Sequence, residues 1–350
     1  MTSATATASP PVRVLIVDDS MSMRMALAAI LSADPEIDVV GLAPEPNIAR
    51  TMIKDLNPDV LTLDVEMPGM DGISFLERIM RLRPMPVVMC STLTARGAAV
   101  TIEALRLGAV DCIAKPSGSA LDIVREADHL RATVKCAARS KVRAARPSAP
   151  RPALRPTGGY RDALIAIGAS TGGVEALFDL LGQLPTDCPP LMVVQHMPGA
   201  YTAGFAARLD ADVAVRVTEA RDAEPIEAGT VYIAPGGARH MEVRPGNPPR
   251  IHLFAADPVA GHRPAIDLLF HSLAGFGRRG VGAILTGMGQ DGAAGLLAMR
   301  QAGARTFGQN ADSCVVYGMP RAAFELGAVE REMQLSAIPG AILAACRLTA

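Results

Sequence analysis

The chain has 350 residues, 49% of them apolar, enough for about two domains that each bury a core of their own. A formal net charge of −1 argues against a global field that would draw it to nucleic acid or to an anionic membrane. The six cysteines, at positions 90, 112, 136, 188, 314 and 346, form no C-x-x-C pair, which speaks against a disulfide framework and a zinc knuckle and for reduced thiols. Met1 to Pro11 lacks the basic start and apolar run of a signal peptide, and no apolar stretch is long enough to span a bilayer, so a soluble cytoplasmic protein without membrane insertion is expected.

After a tail over residues 1–11, Val12 to Val17 is a β-rich run of the kind buried in a parallel sheet. It ends on Asp18 and Asp19, and Ser20 follows as a helix cap. Further strand-like runs are Asp38 to Ala43, Val60 to Leu63, Val87 to Cys90 and Cys112 to Ala114, separated by helix-period segments and followed by a helix from Leu121 to Arg139. This alternation predicts a doubly wound α/β domain over residues 12–139.

Polar residues just past the strand ends of such a sheet share one crevice, and here they are Asp18, Asp19, Asp64, Ser91 and Lys115. Clustered acids repel unless a cation neutralises them, and hard oxygen ligands beside a phosphoryl-accepting crevice suit Mg²⁺. Singly, Asp18-Asp19 could cap a helix, Asp64 could close a turn before Pro68-Gly69, and Lys115-Pro116 could be an ordinary loop. Their joint arrival at strand ends favours a site.

With Val17-Asp-Asp19, Leu63-Asp-Val-Glu-Met-Pro-Gly-Met-Asp-Gly72, Cys90-Ser-Thr92 and Ala114-Lys-Pro116, the segment resembles the receiver domain of two-component response regulators. The resemblance implies a flavodoxin-like fold in which Asp64 accepts a phosphoryl group from a histidine kinase. It also implies that Asp19, Asp64 and the backbone carbonyl of Glu66 bind Mg²⁺ with Asp18 assisting, while Ser91 and Lys115 sense the phosphoryl oxygens. Cys112 departs from the pattern, since many receivers carry there an aromatic ring that changes rotamer on activation.

Residues 140–159 hold Arg143, Arg146, Pro147, Pro150, Arg151, Pro152, Arg155 and Pro156 with few large apolar residues between them, the composition of an extended domain linker. Its basic character invites a nucleic-acid reading, but no aromatic residues are interleaved for base stacking and no helix-turn-helix pattern follows.

Beyond the linker, an apolar run from Ala163 enters Gly168-Ala-Ser170-Thr-Gly172, which matches the G-x-S-x-G turn that lifts a serine hydroxyl clear of a sheet edge. A helix is predicted from Val174 to Leu181, its free N–H groups able to steady an anion near Ser170. On the motif alone a phosphate-cradling or merely tight turn remains open. Leu191 to Gln195 is a second buried-strand run with His196 just beyond it, and Val281 to Leu285 is a third, leading through Thr286-Gly-Met-Gly-Gln-Asp-Gly292 to a helix from Ala293 to Ala302. Asp291 could orient an imidazole or simply cap that helix.

Ser170, His196 and Asp291 therefore form a candidate triad, in which histidine moves the proton and the aspartate fixes its tautomer. Oxyanion donors are expected near Thr171 or near Met288-Gly289. Among the rivals, His240 and His252 fall in a predicted hairpin from Arg239 to Phe254, and His271 and Asp267 fall in a helix-period stretch, Ala265 to Ala274, where a helix surface is the plainer role. His262 and Asp257 flank a loop that borders the pocket and are candidates for substrate contact.

Ile167-Gly-Ala-Ser-Thr-Gly-Gly-Val-Glu-Ala176, Val194-Gln-His-Met-Pro198, Tyr232-Ile-Ala-Pro-Gly236, Gly261-His-Arg-Pro264, Leu285-Thr-Gly-Met-Gly-Gln-Asp-Gly-Ala293 and Tyr317-Gly-Met-Pro-Arg321 together resemble the catalytic domain of the chemotaxis protein-glutamate methylesterase family. For residues 160–350 this implies a Rossmann-like, doubly wound domain with Ser170 as nucleophile, His196 as general base and Asp291 as its orienting acid. The implied substrates are glutamyl methyl esters and certain glutamines of chemoreceptors, cleaved without a metal or organic cofactor in this domain by a chain that is monomeric and binds no nucleic acid. Joined to a receiver, such a hydrolase is expected to be masked until Asp64 is phosphorylated. Two other readings stand beside it: a binding module whose Gly168–Gly173 turn holds a nucleotide phosphate, which lacks an acidic ribose partner at the usual spacing, and a DNA-binding regulator, for which only the basic linker speaks.

Overall fold

The computed structural model describes residues 10–67, 71–91, 95–115, 120–140, 142, 154 and 159–347, without the side chains of 95, 96 and 120–126. Pro68-Gly69, Thr92, Pro116, most of the linker and most of the N-terminal tail lie outside the described residues. The chain divides into two compact units, Met1–Thr92 with Ala109–Ala145 and Leu93–Gly108 with Arg146–Ala350.

In the N-terminal half, strands β1 (Val12–Val17), β2 (Ile37–Ala43), β3 (Val60–Asp64), β4 (Val87–Ser91) and β5 (Asp111–Ala114) are interleaved with helices α1 (Met21–Ser32), α2 (Pro46–Leu56), α3 (Gly72–Leu82), α4 (Ala95–Arg106) and α5 (Ala120–Ala138). The strands pair in the order β2-β1-β3-β4-β5, all parallel. Every residue of β3 and β4 is buried, which is why these strands read as unbroken apolar runs rather than alternating ones. Ser20 caps α1 as expected, its hydroxyl accepting from the Met23 amide at 3.4 Å, and Asp71 caps α3 through the Ser74 amide at 2.7 Å. A Cβ on Gly72 would lie 2.1 Å from the Asp64 carbonyl oxygen, so glycine lets α3 start hard against the end of β3.

The C-terminal half contains β6 (Leu164–Ala169), α6 (Gly173–Leu181), β7 (Leu191–Gln195), α7 (Gly199–Asp212), β8 (Arg216–Glu219), β9 (Thr230–Ile233), β10 (His240–Arg244), β11 (Arg250–Phe254), α8 (Ile266–Ala274), β12 (Gly280–Ile284), α9 (Ala293–Gln301), β13 (Arg305–Gln309), α10 (Met319–Glu325), β14 (Arg331–Met333) and α11 (Ile338–Ala345). Seven of these strands form one parallel sheet in the order β14-β13-β12-β6-β7-β9-β8. The hairpin read from the sequence is present as the antiparallel pair β10-β11. Tyr232, Met192 and Val194 from the sheet pack with Ile266 and Phe270 of α8 and Leu296 of α9 in one buried cluster. Both halves are thus α/β with parallel sheets and alternating helices. Among the described residues no helix is long and apolar enough to cross a membrane.

Candidate active site and candidate phosphorylation site

The larger sheet reverses direction between β6 and β12: the chain runs outward from β6 through β7 to β8 at the edge, inserts β9 between β7 and β8, and then returns to build β12, β13 and β14 on the other side. A crevice opens at the carboxyl ends of strands at such a switch point. Ser170 follows β6, His196 follows β7 and Thr286 to Asp291 follow β12, so the sequence motifs converge on that one edge.

Main-chain bonds lock this edge together. The Ser170 amide donates to the Thr286 carbonyl at 3.0 Å, and the His196 amide to the Ala169 carbonyl at 3.0 Å. The buried Gln195 side chain donates from Nε2 to the carbonyls of both Ser170 (2.9 Å) and His196 (3.0 Å), holding the two turns to each other. Gly287 must be small, because a Cβ there would sit 2.7 Å from the Ser170 Cβ and 2.5 Å from the Met319 sulfur. Gln195 was not foreseen in the sequence, although an amide closing an otherwise apolar strand is the mark of a polar side chain with a local task.

His196 Nε2 lies 2.8 Å from Asp291 Oδ2, with the imidazole 8% and the carboxylate 1% exposed. The same carboxylate accepts from the amides of Ile266 (Oδ2, 2.8 Å) and Asp267 (Oδ1, 3.0 Å), the first turn of α8. Asp291 therefore caps α8 across the crevice. The alternative that it caps the helix following it does not hold, since the N-cap of α9 is Gly292 and no side chain caps that helix. Burial resists the Asp291 charge, but His196 and the two backbone donors outweigh it and hold this carboxyl below its ordinary range. Because Nε2 faces a carboxylate it carries the ring proton, which leaves Nδ1 as the basic nitrogen. Nδ1 is buried and has no hydrogen-bond partner among the described residues.

The remaining candidates separate clearly. His262 stacks flat on His196, with ring centroids 3.8 Å apart and planes 6° from parallel, whereas Asp257 is exposed and offers its carbonyl to His240 Nε2 at 3.0 Å. His252 pairs with Asp222 at 3.3 Å, and His271 is exposed on α8. Asp267 is not the surface residue expected: it accepts from the Gly295 amide at 2.7 Å, tying α8 to α9, and burial pushes its carboxyl up. Thr171 is buried and its carbonyl accepts from the Thr286 hydroxyl at 3.0 Å, which sets it beside the loop that carries Met288 and Gly289.

The first sheet has its own switch point, between β1 and β3. There Lys115 Nζ lies 2.8 Å from both Asp18 Oδ2 and Asp64 Oδ2, and carboxylate oxygens of Asp18, Asp19 and Asp64 come within 4.8 Å of one another. Burial raises the Asp64 carboxyl despite the Lys115 ammonium, with the Asp18 charge adding to it. Asp18 Oδ2, though in ion contact with Lys115, is buried without a directed hydrogen bond. Three carboxylates whose oxygens gather this closely, two of them buried, are a donor set that fits a hard divalent cation such as Mg²⁺. The Glu66 amide donates to Asp64 Oδ1 at 3.2 Å, and buried Ser91 accepts the Lys115 amide on its carbonyl at 2.9 Å. Cys112 is buried on β5 and burial pushes its thiol well up, so it is no nucleophile.

Comparison with known proteins agrees with this division. The family model for the CheB methylesterase matches residues 165–342, and that for the response regulator receiver domain matches residues 14–125. A protein-glutamate methylesterase/protein-glutamine glutaminase of Caulobacter vibrioides is 56% identical over 339 residues, covering 95% of this chain and 97% of that one. One from Rhizobium johnstonii is 53% identical over 339 residues, covering 96% of each. The crystal structure of the Thermotoga maritima CheB methylesterase catalytic domain superposes with a TM-score of 0.51 at 34% identity, covering 54% of this chain and 99% of that one. The chain belongs to the family of protein-glutamate methylesterases/protein-glutamine glutaminases in which a response regulator receiver domain precedes a CheB methylesterase domain.

Proposed function

We propose that this chain removes methyl groups from glutamyl esters of chemoreceptors, and the amide from certain receptor glutamines, by a Ser-His-Asp acyl-enzyme route that phosphorylation of Asp64 accelerates. The reading rests above all on one observation: a buried imidazole bound at 2.8 Å to a helix-capping carboxylate, with its second nitrogen unengaged beside a G-x-S-x-G turn. Ser170 Oγ attacks the side-chain carbonyl carbon while its proton passes to His196 Nδ1, and Asp291 stabilises the imidazolium that forms. Backbone N–H groups near Thr171 or Met288-Gly289 receive the oxyanion. Nδ1 then returns the proton to the departing methanol oxygen or ammonia nitrogen; water, deprotonated by the same nitrogen, attacks the acyl carbon, and Nδ1 passes that proton to the departing Ser170 Oγ, leaving a glutamate side chain on the receptor. No metal or organic cofactor takes part in this domain.

In the receiver, residues 12–139, Asp64 accepts the phosphoryl group from a chemotaxis histidine kinase. Asp18, Asp19, Asp64 and the Glu66 carbonyl would hold Mg²⁺, which would supply neutralisation of the phosphoryl oxygens, and Ser91 and Lys115 would contact those oxygens. Residues 140–159 link it to the catalytic domain, residues 160–350, and the chain works as a cytoplasmic monomer. Activation needs little energy, since a tenfold change in the active population corresponds to about 1.4 kcal/mol.

The test is release of methanol and ammonia from methylated receptor membranes, with and without a small-molecule phosphodonor. The wild type should release both and respond to the donor, Asp64→Asn should keep the basal rate without responding, and Ser170→Ala should release neither. A Ser170→Ala chain at the wild-type rate would refute the acyl-enzyme route.

A further inference from the structure

The loop between β11 and α8 is built to present one side chain. His240, fully buried on β10, staples its two ends: Nε2 meets the Asp257 carbonyl at 3.0 Å and Nδ1 accepts the Ala265 amide at 3.1 Å. Between them Val259 and His262 exchange both main-chain hydrogen bonds, at 3.0 and 2.9 Å, across a two-residue turn at Ala260 and Gly261. Both turn residues have positive φ, 51° and 84°, and for Ala260 that left-handed conformation is a cost the surroundings must impose. Arg263 fastens the next position, donating from Nε to the Gly237 carbonyl at 2.5 Å and from Nη1 to the Ala256 carbonyl at 3.0 Å, while its own carbonyl accepts the Gly237 amide at 3.1 Å. The side chain so held is His262, lying flat on His196 at 3.8 Å and 6°.

We propose that His262 is a positioning residue for the reaction: its ring plane fixes the tilt of the His196 imidazole, so that Nε2 stays on Asp291 while Nδ1 takes the Ser170 proton, and its π face supports the imidazolium that forms. Gln195 and Asp291 fix where His196 sits and how far it reaches, but neither restrains rotation about the axis running from Asp291 through the ring. A flat neighbour does. An imidazole tilted out of line loses proton transfer, so an effect exerted through the ring, rather than through contact with the ester, falls on kcat. The supporting face must be aromatic and need not be ionisable, since a cation is attracted to any aromatic face at this separation.

This inference rests on His196 acting as the base, and its test has an arm that does not depend on turnover. His262→Ala should lower kcat for methanol release by about 10- to 100-fold with KM within about twofold of wild type, and His262→Phe should retain most of the wild-type kcat. His262→Asn, which keeps a polar side chain but no ring, should behave as the alanine variant does and covers the case in which alanine disturbs the loop. In ¹³C-histidine-labelled Ser170→Ala protein, the His196 ring cross-peaks should move downfield and broaden on His262→Ala, as the stacked ring current and the restraint are lost together, and should stay upfield and sharp on His262→Phe. Unmoved His196 cross-peaks in His262→Ala, a phenylalanine variant as slow as the alanine one, or a rise in KM with kcat unchanged would each overturn the proposal. Methanol release that persists in Ser170→Ala would instead indict the acyl-enzyme reading, while the cross-peak shifts would still decide whether His262 restrains His196.

Discussion

Asp291→Asn separates the two tasks that the structure assigns to one carboxylate. Its oxygens accept from His196 Nε2 and from the amides of Ile266 and Asp267. An asparagine has one acceptor oxygen and one NH₂ group, so one of the helix-capping amides must face another donor. A hydrogen bond to a charged acceptor contributes about 1.5–3 kcal/mol, and one such bond is lost at the start of α8. For a domain of this size each kcal/mol is worth about 2–4 °C, so thermal unfolding of the catalytic domain should fall by about 5 °C. The catalytic loss should be far larger. An amide that donates to Nε2 moves the ring proton to Nδ1 and removes the base, for which about a 10⁴-fold loss in kcat is expected.

The stability gap also carries a pH dependence. The folded Asp291 carboxyl titrates below its ordinary value of 3.8. A depressed folded pKa contributes stability that is present above the unfolded value and is lost as pH falls through the folded one. Unfolding of the two chains followed from pH 7 down to pH 2 should therefore show a constant gap above about pH 5 that closes in acid. An Asp291→Asn chain that keeps wild-type methanol release, or a gap that widens as pH falls, would refute the assignment.

Three further outcomes follow from other contacts. Gly287→Ala places a methyl 2.7 Å from the Ser170 Cβ and should cut kcat by about 100-fold while phosphoryl transfer to Asp64 is unchanged, measured with radiolabelled phosphodonor. Chelation of Mg²⁺ should abolish phosphorylation of Asp64 and leave basal methanol release intact, because the clustered carboxylates belong to the receiver and not to the hydrolase. A chain beginning near Gly158 should show a higher basal esterase rate than the full chain, and equal rates would reject masking by the receiver.

The strands β1 to β7 and β12 were legible because burial writes them as apolar runs, unbroken in β3, β4 and β7. The strands β8, β9, β13 and β14 were not: β8 and β9 have four residues and β14 three, too brief for periodicity, while β13, β8 and β14 each open on an exposed arginine. Among the candidate site residues, Ser170, His196 and Asp291 announced themselves by following strands, since the rule of the switch point needs only chain order. The partners of Asp291 did not. Its position two residues before α9 pointed to the wrong helix, and the amides it binds, at Ile266 and Asp267, are 25 and 24 positions away. The stack of His262 on His196 was equally hidden, because it depends on a loop whose path is set by the buried His240 and by a turn at Ala260-Gly261. Gly261 and Pro264 beside His262 were the available signal.

The central claim is that the Ser170 hydroxyl is activated by His196 and Asp291, and a fluorophosphonate probe followed by peptide mapping tests it most directly. A single stoichiometric modification on Ser170 is expected in the wild-type chain, slowed at least about 100-fold in Asp291→Asn. Label on another residue, or an unlabelled Ser170 in protein that still releases methanol, would contradict it.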